Sequence, residues 1–131
     1  MASNSDTERT KAIIKELYAI YPASFREDPN TIRPLTKTIV ADIAAHLQLR
    51  HRSEEIRFIK RAVAYYQHLP AYLRAVALGK HRRNLFGKPL EEITSYEDRA
   101  AAREELQQRG LWTENLEFRY RGNLSGLDTT P

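Results

Sequence analysis

The stretch SEEIRFIKRAVAYYQ, residues 53–67, constrains the fold more than any other part of the chain. Ile56, Ile59, Val63 and Tyr66 recur at the three- and four-residue intervals that put side chains on one side of an α-helix. Arg57, Lys60 and Arg61 fall on the other side, one turn apart along the axis. Such a helix has to bury its apolar stripe against other elements. The segment therefore requires a packed, largely helical unit with one cationic helix face, and 131 residues suit one domain of that kind.

The flanking sequence supplies the packing partners. Ser5-Asp6-Thr7-Glu8 has capping-box spacing and precedes Ile13, Ile14, Leu17, Tyr18 and Tyr21 at helical intervals, with Pro22 as the stop. Pro22, Pro29 and Pro34 mark residues 22–34 as an irregular loop. A second helix is expected from Leu35 or Thr38 to Leu49, with Ile39, Val40, Ile43 and Leu47 inward. Ser53 is the expected N-cap of the third helix, and Leu69-Pro70 opens a short fourth that ends at Gly79. Residues 82–93 read as a hairpin whose turn, Phe86-Gly87, suits a type I turn followed by Gly87 in the left-handed region, because phenylalanine resists positive φ. Thr94-Ser95-Tyr96-Glu97 has capping-box spacing before a helix running through Arg103 to about Arg109, closed by Gly110. The expected fold is α+β, about five helices with a small β-hairpin. Residues 1–109 form its domain and 110–131 a C-terminal extension. There Leu116, Phe118 and Tyr120 alternate with charged residues, as in a short edge strand or an adhesive tail, and GNLSGLDTTP is expected to be mobile.

Charge is concentrated in the central third. Residues 50–83 hold nine Lys or Arg (50, 52, 57, 60, 61, 74, 80, 82 and 83) against Glu54 and Glu55, a net +7 that leaves −3 for the rest of a chain whose total is +4. Cations gathered in one segment most often meet phosphate, although a solvated basic face is the plain alternative. The chain has no cysteine, so disulfides, thiolate metal sites and thiol catalysis are excluded. No apolar run nears the roughly 20 residues that span a bilayer, and MASNSDTERT is too polar for a secretory signal, so a cytoplasmic protein with no membrane contact is expected. Gly79-Lys80 is not a phosphate-binding loop: Arg74 stands where its first glycine belongs, and His81 where a Ser or Thr belongs. His46, His51, His68 and His81 lack paired ligand spacing, and no serine is flanked by glycines. Neither an enzyme nor a cofactor is expected.

Several features occur together in order. They are Arg33-Pro34-Leu35 before an amphipathic helix, the basic third helix, AYLRAVALG from Ala71 to Gly79, and then Arg82, Leu85, Gly87, Pro89 and Glu91. Over roughly residues 10–109 this set resembles the ProQ/FinO family of bacterial RNA chaperones. The resemblance implies a compact, mostly helical domain, monomeric and without cofactor. It would bind structured small RNAs at terminator hairpins with a 3′ uridine tail, protect them and promote RNA–RNA pairing in post-transcriptional regulation. The family's 3′-end pocket carries an aromatic and an arginine, which fall on Tyr72 and Arg82. The RPL arginine falls on Arg33, and basic positions of the third and last helices fall on Lys60 and Arg103. Arg57, Arg61, Lys37, Arg74 and Lys80 complete the expected RNA contacts. The hairpin turn departs from the pattern, with Phe86 where Asp is common.

Physical chemistry permits these roles. A tyrosine stacks on an unpaired base or bonds a ribose, and an arginine clamps phosphate with two parallel bonds. Tyr72 could equally be a core aromatic, and Tyr65 and Tyr66 read as core rather than as stacking platforms. Arg82 and Arg83 alternate across a strand, so one of them at most faces a given pocket. Two other readings fit the charge: a DNA-binding regulator using the third helix, and an adaptor for an acidic protein.

Overall fold

The computed structural model describes residues 4–49 and 51–124. Six helices and one hairpin follow in order: α1 Asn4–Ile20, α2 Ile39–His46, α3 Ser53–Gln67, α4 Pro70–Ala77, β1 His81–Arg83, β2 Pro89–Ile93, α5 Tyr96–Gln108 and α6 Glu114–Leu124. A single 3-10 turn, Pro29–Thr31, interrupts the loop between α1 and α2, capped by the Asp28 carboxylate on the Asn30 N–H.

α3 crosses the centre. Phe58, Ile59, Ala62, Val63 and Tyr66 are its buried residues, so the stripe includes Phe58 while Ile56 is only half-buried. α1 lies on it through Ile14 and Leu17, with Tyr21 just beyond the helix end, and α2 through Ile39 and Ile43. The Tyr66 ring meets the edges of Tyr18, Phe25 and Tyr72 at centroid separations of 6.1, 5.1 and 5.6 Å. Burial drives the Tyr66 phenol up to about 12.

Two tyrosine hydroxyls fasten the proline-rich loop to this core. The Arg26 N–H donates to Tyr66 Oη at 2.9 Å, and the Leu35 N–H donates to Tyr72 Oη at 2.9 Å. A buried backbone N–H without a partner costs about 1–3 kcal/mol, so each phenol fixes the stretch it meets. Pro34, Leu35 and Thr36 then run beside β1 as a short parallel ladder, with Arg83 N–H to Pro34 O at 2.7 Å and Thr36 N–H to Arg83 O at 2.8 Å. β1 pairs antiparallel with β2, His81 opposite Ile93 and Arg83 opposite Pro89, with a bulge between. The hairpin turn is as expected. Gly87 donates to Asn84 O at 2.9 Å with φ +80°, and an added Cβ there would sit 2.6 Å from Ala23.

Some local expectations fail for identifiable reasons. Ser5 lies inside the first turn of α1, which already begins at Asn4. Ser53 is the first residue of α3, and the N-cap is Arg52 with no side-chain cap bond. α2 starts at Ile39, behind Thr38. Thr94 is fully buried and donates its hydroxyl to Val76 O at 2.8 Å, so the cap of α5 is Ser95, accepting from Asp98 N–H at 3.1 Å.

The largest correction concerns residues 116–120, which are helical rather than an edge strand. Trp112, Leu116 and Tyr120 are spaced by four. Leu116 and Tyr120 are buried, Trp112 packs partly against the core, and Phe118 between them is 81% exposed. Thr113 Oγ1 accepts from the Leu116 N–H at 3.2 Å, capping the helix. Of the stretch expected to be mobile, residues 122–124 belong to α6 and 125–131 lie outside the described residues.

α6 is held by one carboxylate. Glu117 Oε1 accepts from Trp112 Nε1 at 3.0 Å and pairs with Arg103 Nη2 at 2.6 Å, while Oε2 accepts from Arg121 Nε at 2.8 Å. These contacts, the Arg121 bond foremost, hold the carboxyl below its ordinary value of 4.5. A depressed folded pKa contributes stability above the unfolded value and loses it as pH falls through the folded one. The only tryptophan reports on this contact. Trp112 fluorescence is expected to stay flat from neutral pH down to the ordinary carboxylate value of 4.5 and to change below it. Glu117→Gln should remove that acid transition, and an acid limb surviving in the variant would assign it elsewhere.

Candidate nucleic-acid interface

A cleft of about 510 Å³ opens between the end of α3, α4 and α5, lined by Lys37, Gln67, His68, Tyr72, Arg82 and Asp98 among others. Tyr72 reaches it from α4 and Arg82 from β1. Both are nearly buried, 4% and 6% exposed. Burial raises the Tyr72 phenol, against the opposing pull of the Leu35 N–H and the Arg82 charge.

Arg82 is already engaged. Nη1 donates to Leu35 O at 2.8 Å and Nη2 to Asp98 Oδ2 at 3.0 Å. Nε lies 3.1 Å from Glu92 Oε1, in ion-pair range but outside hydrogen-bonding alignment. Asp98 also stands 3.9 Å from Lys37 Nζ. The expected phosphate clamp is thus a buried guanidinium facing two carboxylates, and the expected stacking ring belongs mostly to the core.

The cations of α3 are different. Arg57, Lys60 and Arg61 are exposed, and Lys60 has no ion pair among the described residues. Arg57 and Arg61 lie 4.9 and 5.7 Å from the Phe58 ring centroid, with Arg9 of α1 at 4.2 Å. Arg61 also approaches Asp6 at 3.7 Å. Tyr65 continues this row and is 55% exposed, so it is a surface aromatic rather than the core residue expected, whereas Tyr66 is core. Arg57, Arg61 and Tyr65 are spaced by four, the signal that identifies the row. A groove lined by Thr10, Arg61, Tyr65 and His68 follows, and His68 also lines the Tyr72 cleft. His68 thus stands between the groove beside Arg61 and Tyr65 and the Tyr72 cleft.

The remaining expected residues lie apart. Arg33, Arg74 and Lys80 line a separate cleft of about 310 Å³ with Arg119, which the sequence reading did not single out. Arg103 packs under α6, its guanidinium 4.9 Å from the Tyr120 ring and 5.9 Å from Trp112. Among the described residues no three His, Asp or Glu side chains converge as metal ligands, and no helix is long and apolar enough to cross a membrane.

The crystal structure of NMB1681 from Neisseria meningitidis MC58, a FinO-like RNA chaperone, matches with a TM-score of 0.60 at 25% identity, over 79% of this chain and 80% of that one. The NMR structure of a ProQ homolog from Legionella pneumophila matches with a TM-score of 0.57 at 20% identity, over 81% and 86%. No curated protein sequence matches significantly. The profile of the ProQ/FINO family covers residues 7–115, from the first turns of α1 to the start of α6, and the chain belongs to that family.

Proposed function

We propose that this protein binds structured RNA as a chaperone, gripping a hairpin stem through its phosphates along α3 and receiving the adjacent 3′ single strand in the Tyr72–Arg82 cleft. One observation carries the reading: the exposed Arg57, Lys60 and Arg61 lead through Tyr65 and His68 into that cleft. A-form RNA hides its base edges in a deep, narrow major groove, so a cationic helix face reads the stem by shape and charge. Tyr65 offers a ring to an unpaired base beyond it. Binding energy alone suffices to protect a 3′ end and to favour annealing.

Binding should be measured with a terminator hairpin carrying a 3′ uridine tail, with the tail removed, and with a 3′ phosphate added. Loss with both altered RNAs is the expected result. Equal binding to all three would remove the 3′-end part of the reading, and preference for duplex DNA at equal salt would remove RNA. Lys60→Ala should lower the slope of log K against log[salt] by about 0.7–1 with little effect on stability. An unchanged slope would place Lys60 off the phosphate path.

A further inference from the structure

Strand alternation sends Arg83 away from Arg82, to the far side of β1, where it meets two other arginines. Arg26, Arg33 and Arg83 line a cleft of about 220 Å³ with Ala23, Ser24 and Thr31, and no lining residue bears a carboxylate. We propose that this cleft is a second phosphate site, taking one backbone phosphate of the bound RNA on the face opposite Tyr72. The nature of the ligand as RNA rests on the function proposed above; the affinity for a phosphate group does not.

Each arginine comes from a separately fixed stretch of backbone. Arg83 is held on both sides by the bonds to Pro34 O and from Thr36 N–H, at 2.7 and 2.8 Å. Arg26 is held by its N–H on Tyr66 Oη at 2.9 Å, and its Nε donates to Thr31 Oγ1 at 3.2 Å. Arg33, between Ile32 and Pro34, turns Nη1 to Ile32 O at 2.9 Å. The fold therefore holds three like charges around one small space, which costs energy unless an anion offsets it.

Arg83 shows the clearest sign of that cost. Its Nη1 donates to Gly87 O at 3.1 Å, but Nε is buried with no hydrogen-bond partner among the described residues. Burial first, then the charges of Arg33 and Arg26, weaken its hold on its proton. A phosphate among the three would add attractions that offset these repulsions, and guanidinium forks suit its oxygens better than ammonium groups do. The space is below the roughly 300–1,000 Å³ of pockets that enclose drug-sized ligands, which fits a phosphate group and not a whole nucleoside. Arg33 also lines the neighbouring cleft with Arg74, Lys80 and Arg119, so a strand leaving the site would stay on basic surface.

The test uses the full chain, labelled with 15N, and follows the arginine Nε–Hε signals. Inorganic pyrophosphate should shift the Arg83 and Arg26 signals saturably, with apparent affinity at least tenfold weaker in Arg26→Gln. Arg26 is the safer variant, since among the described residues its side chain hydrogen-bonds only to Thr31 Oγ1; Arg83→Gln is accepted where its melting curve matches the parent. For the hairpin RNA, either variant should weaken binding roughly three- to tenfold near physiological salt and reduce the salt slope by about 0.7–1. Absence of a saturable Arg83 shift with pyrophosphate overturns the site. A shift with pyrophosphate, but unaltered RNA affinity and slope in both variants, assigns the cleft to free phosphate and overturns the RNA contact. Failure of the parent chain to bind hairpin RNA overturns the function and the RNA contact together, and the pyrophosphate arm then still decides whether the cleft takes phosphate.

Discussion

Tyr72→Ala will destabilise the domain by about 3–5 kcal/mol, and Tyr72→Phe by about 1–3 kcal/mol. The ring is 4% exposed and packs edge-on against Tyr66 at 5.6 Å, so its removal leaves a cavity beside the central helix. The hydroxyl accepts the Leu35 N–H at 2.9 Å, and phenylalanine would leave that donor buried and unmet. Since a domain of this size is stable by only about 5–15 kcal/mol, the alanine variant should be partly unfolded near body temperature. Urea unfolding measures both, with the midpoint shifted and the slope retained. A cost below about 0.5 kcal/mol for Tyr72→Phe would mean that the phenol does not hold the Arg33–Leu35 stretch. The result also governs how binding data are read. Loss of RNA binding in Tyr72→Ala would report collapse of the cleft floor, while Tyr72→Phe keeps the ring, so binding that survives in it would show that the hydroxyl is not a required RNA contact.

The helical skeleton was legible because its signals are strong and local. α3 shows its period within fifteen residues. Pro70, Gly79 and Gly87 punctuate where backbone geometry demands, the two glycines at φ +71° and +80°. Caps were less legible, since Thr94-x-x-Glu97 and Ser95-x-x-Asp98 both satisfy the pattern and only the distant Val76 carbonyl, which takes the Thr94 hydroxyl, decides between them. α6 was ambiguous for a similar reason. Leu116, Phe118 and Tyr120 alternate, yet Trp112, Leu116 and Tyr120 also step by four, and burial selects the second series. In the site, the basic row of α3 was readable from spacing except for Tyr65. The pairings were not. Arg82 meets Asp98, and Arg103 meets Glu117, across separations that no local pattern encodes. The same applies to Arg26, which joins Arg33 and Arg83 only because Tyr66 anchors its loop.

Arg82→Ala is expected to weaken hairpin RNA binding by about 1–3 kcal/mol, the range for lost charged hydrogen bonds, and Asp98→Asn to strengthen it. The geometry makes the second change informative. Asp98 Oδ2 sits 3.0 Å from Arg82 Nη2 and 3.9 Å from Lys37 Nζ, so an incoming phosphate competes with a carboxylate for both cations. Asparagine keeps the shape and removes the charge. The backbone N–H that Ser95 accepts is untouched, and asparagine still offers an oxygen to Arg82; because the Arg82 side chain is only 8% exposed, the loss of the charged bond should cost about 1–3 kcal/mol of stability. Asp98→Asn should therefore tighten binding roughly three- to tenfold at low salt, with the gain shrinking as salt screens it. Arg82→Ala also strips Leu35 O of a donor, so its binding loss alone could come from a loosened cleft. The double variant resolves this. If Arg82 meets phosphate, Asp98→Asn should lose most of its benefit once Arg82 is gone, because the charge it frees is absent. A full Asp98→Asn gain in the Arg82→Ala background would assign the competition to Lys37 and reduce Arg82 to a bolt between β1, α5 and the loop.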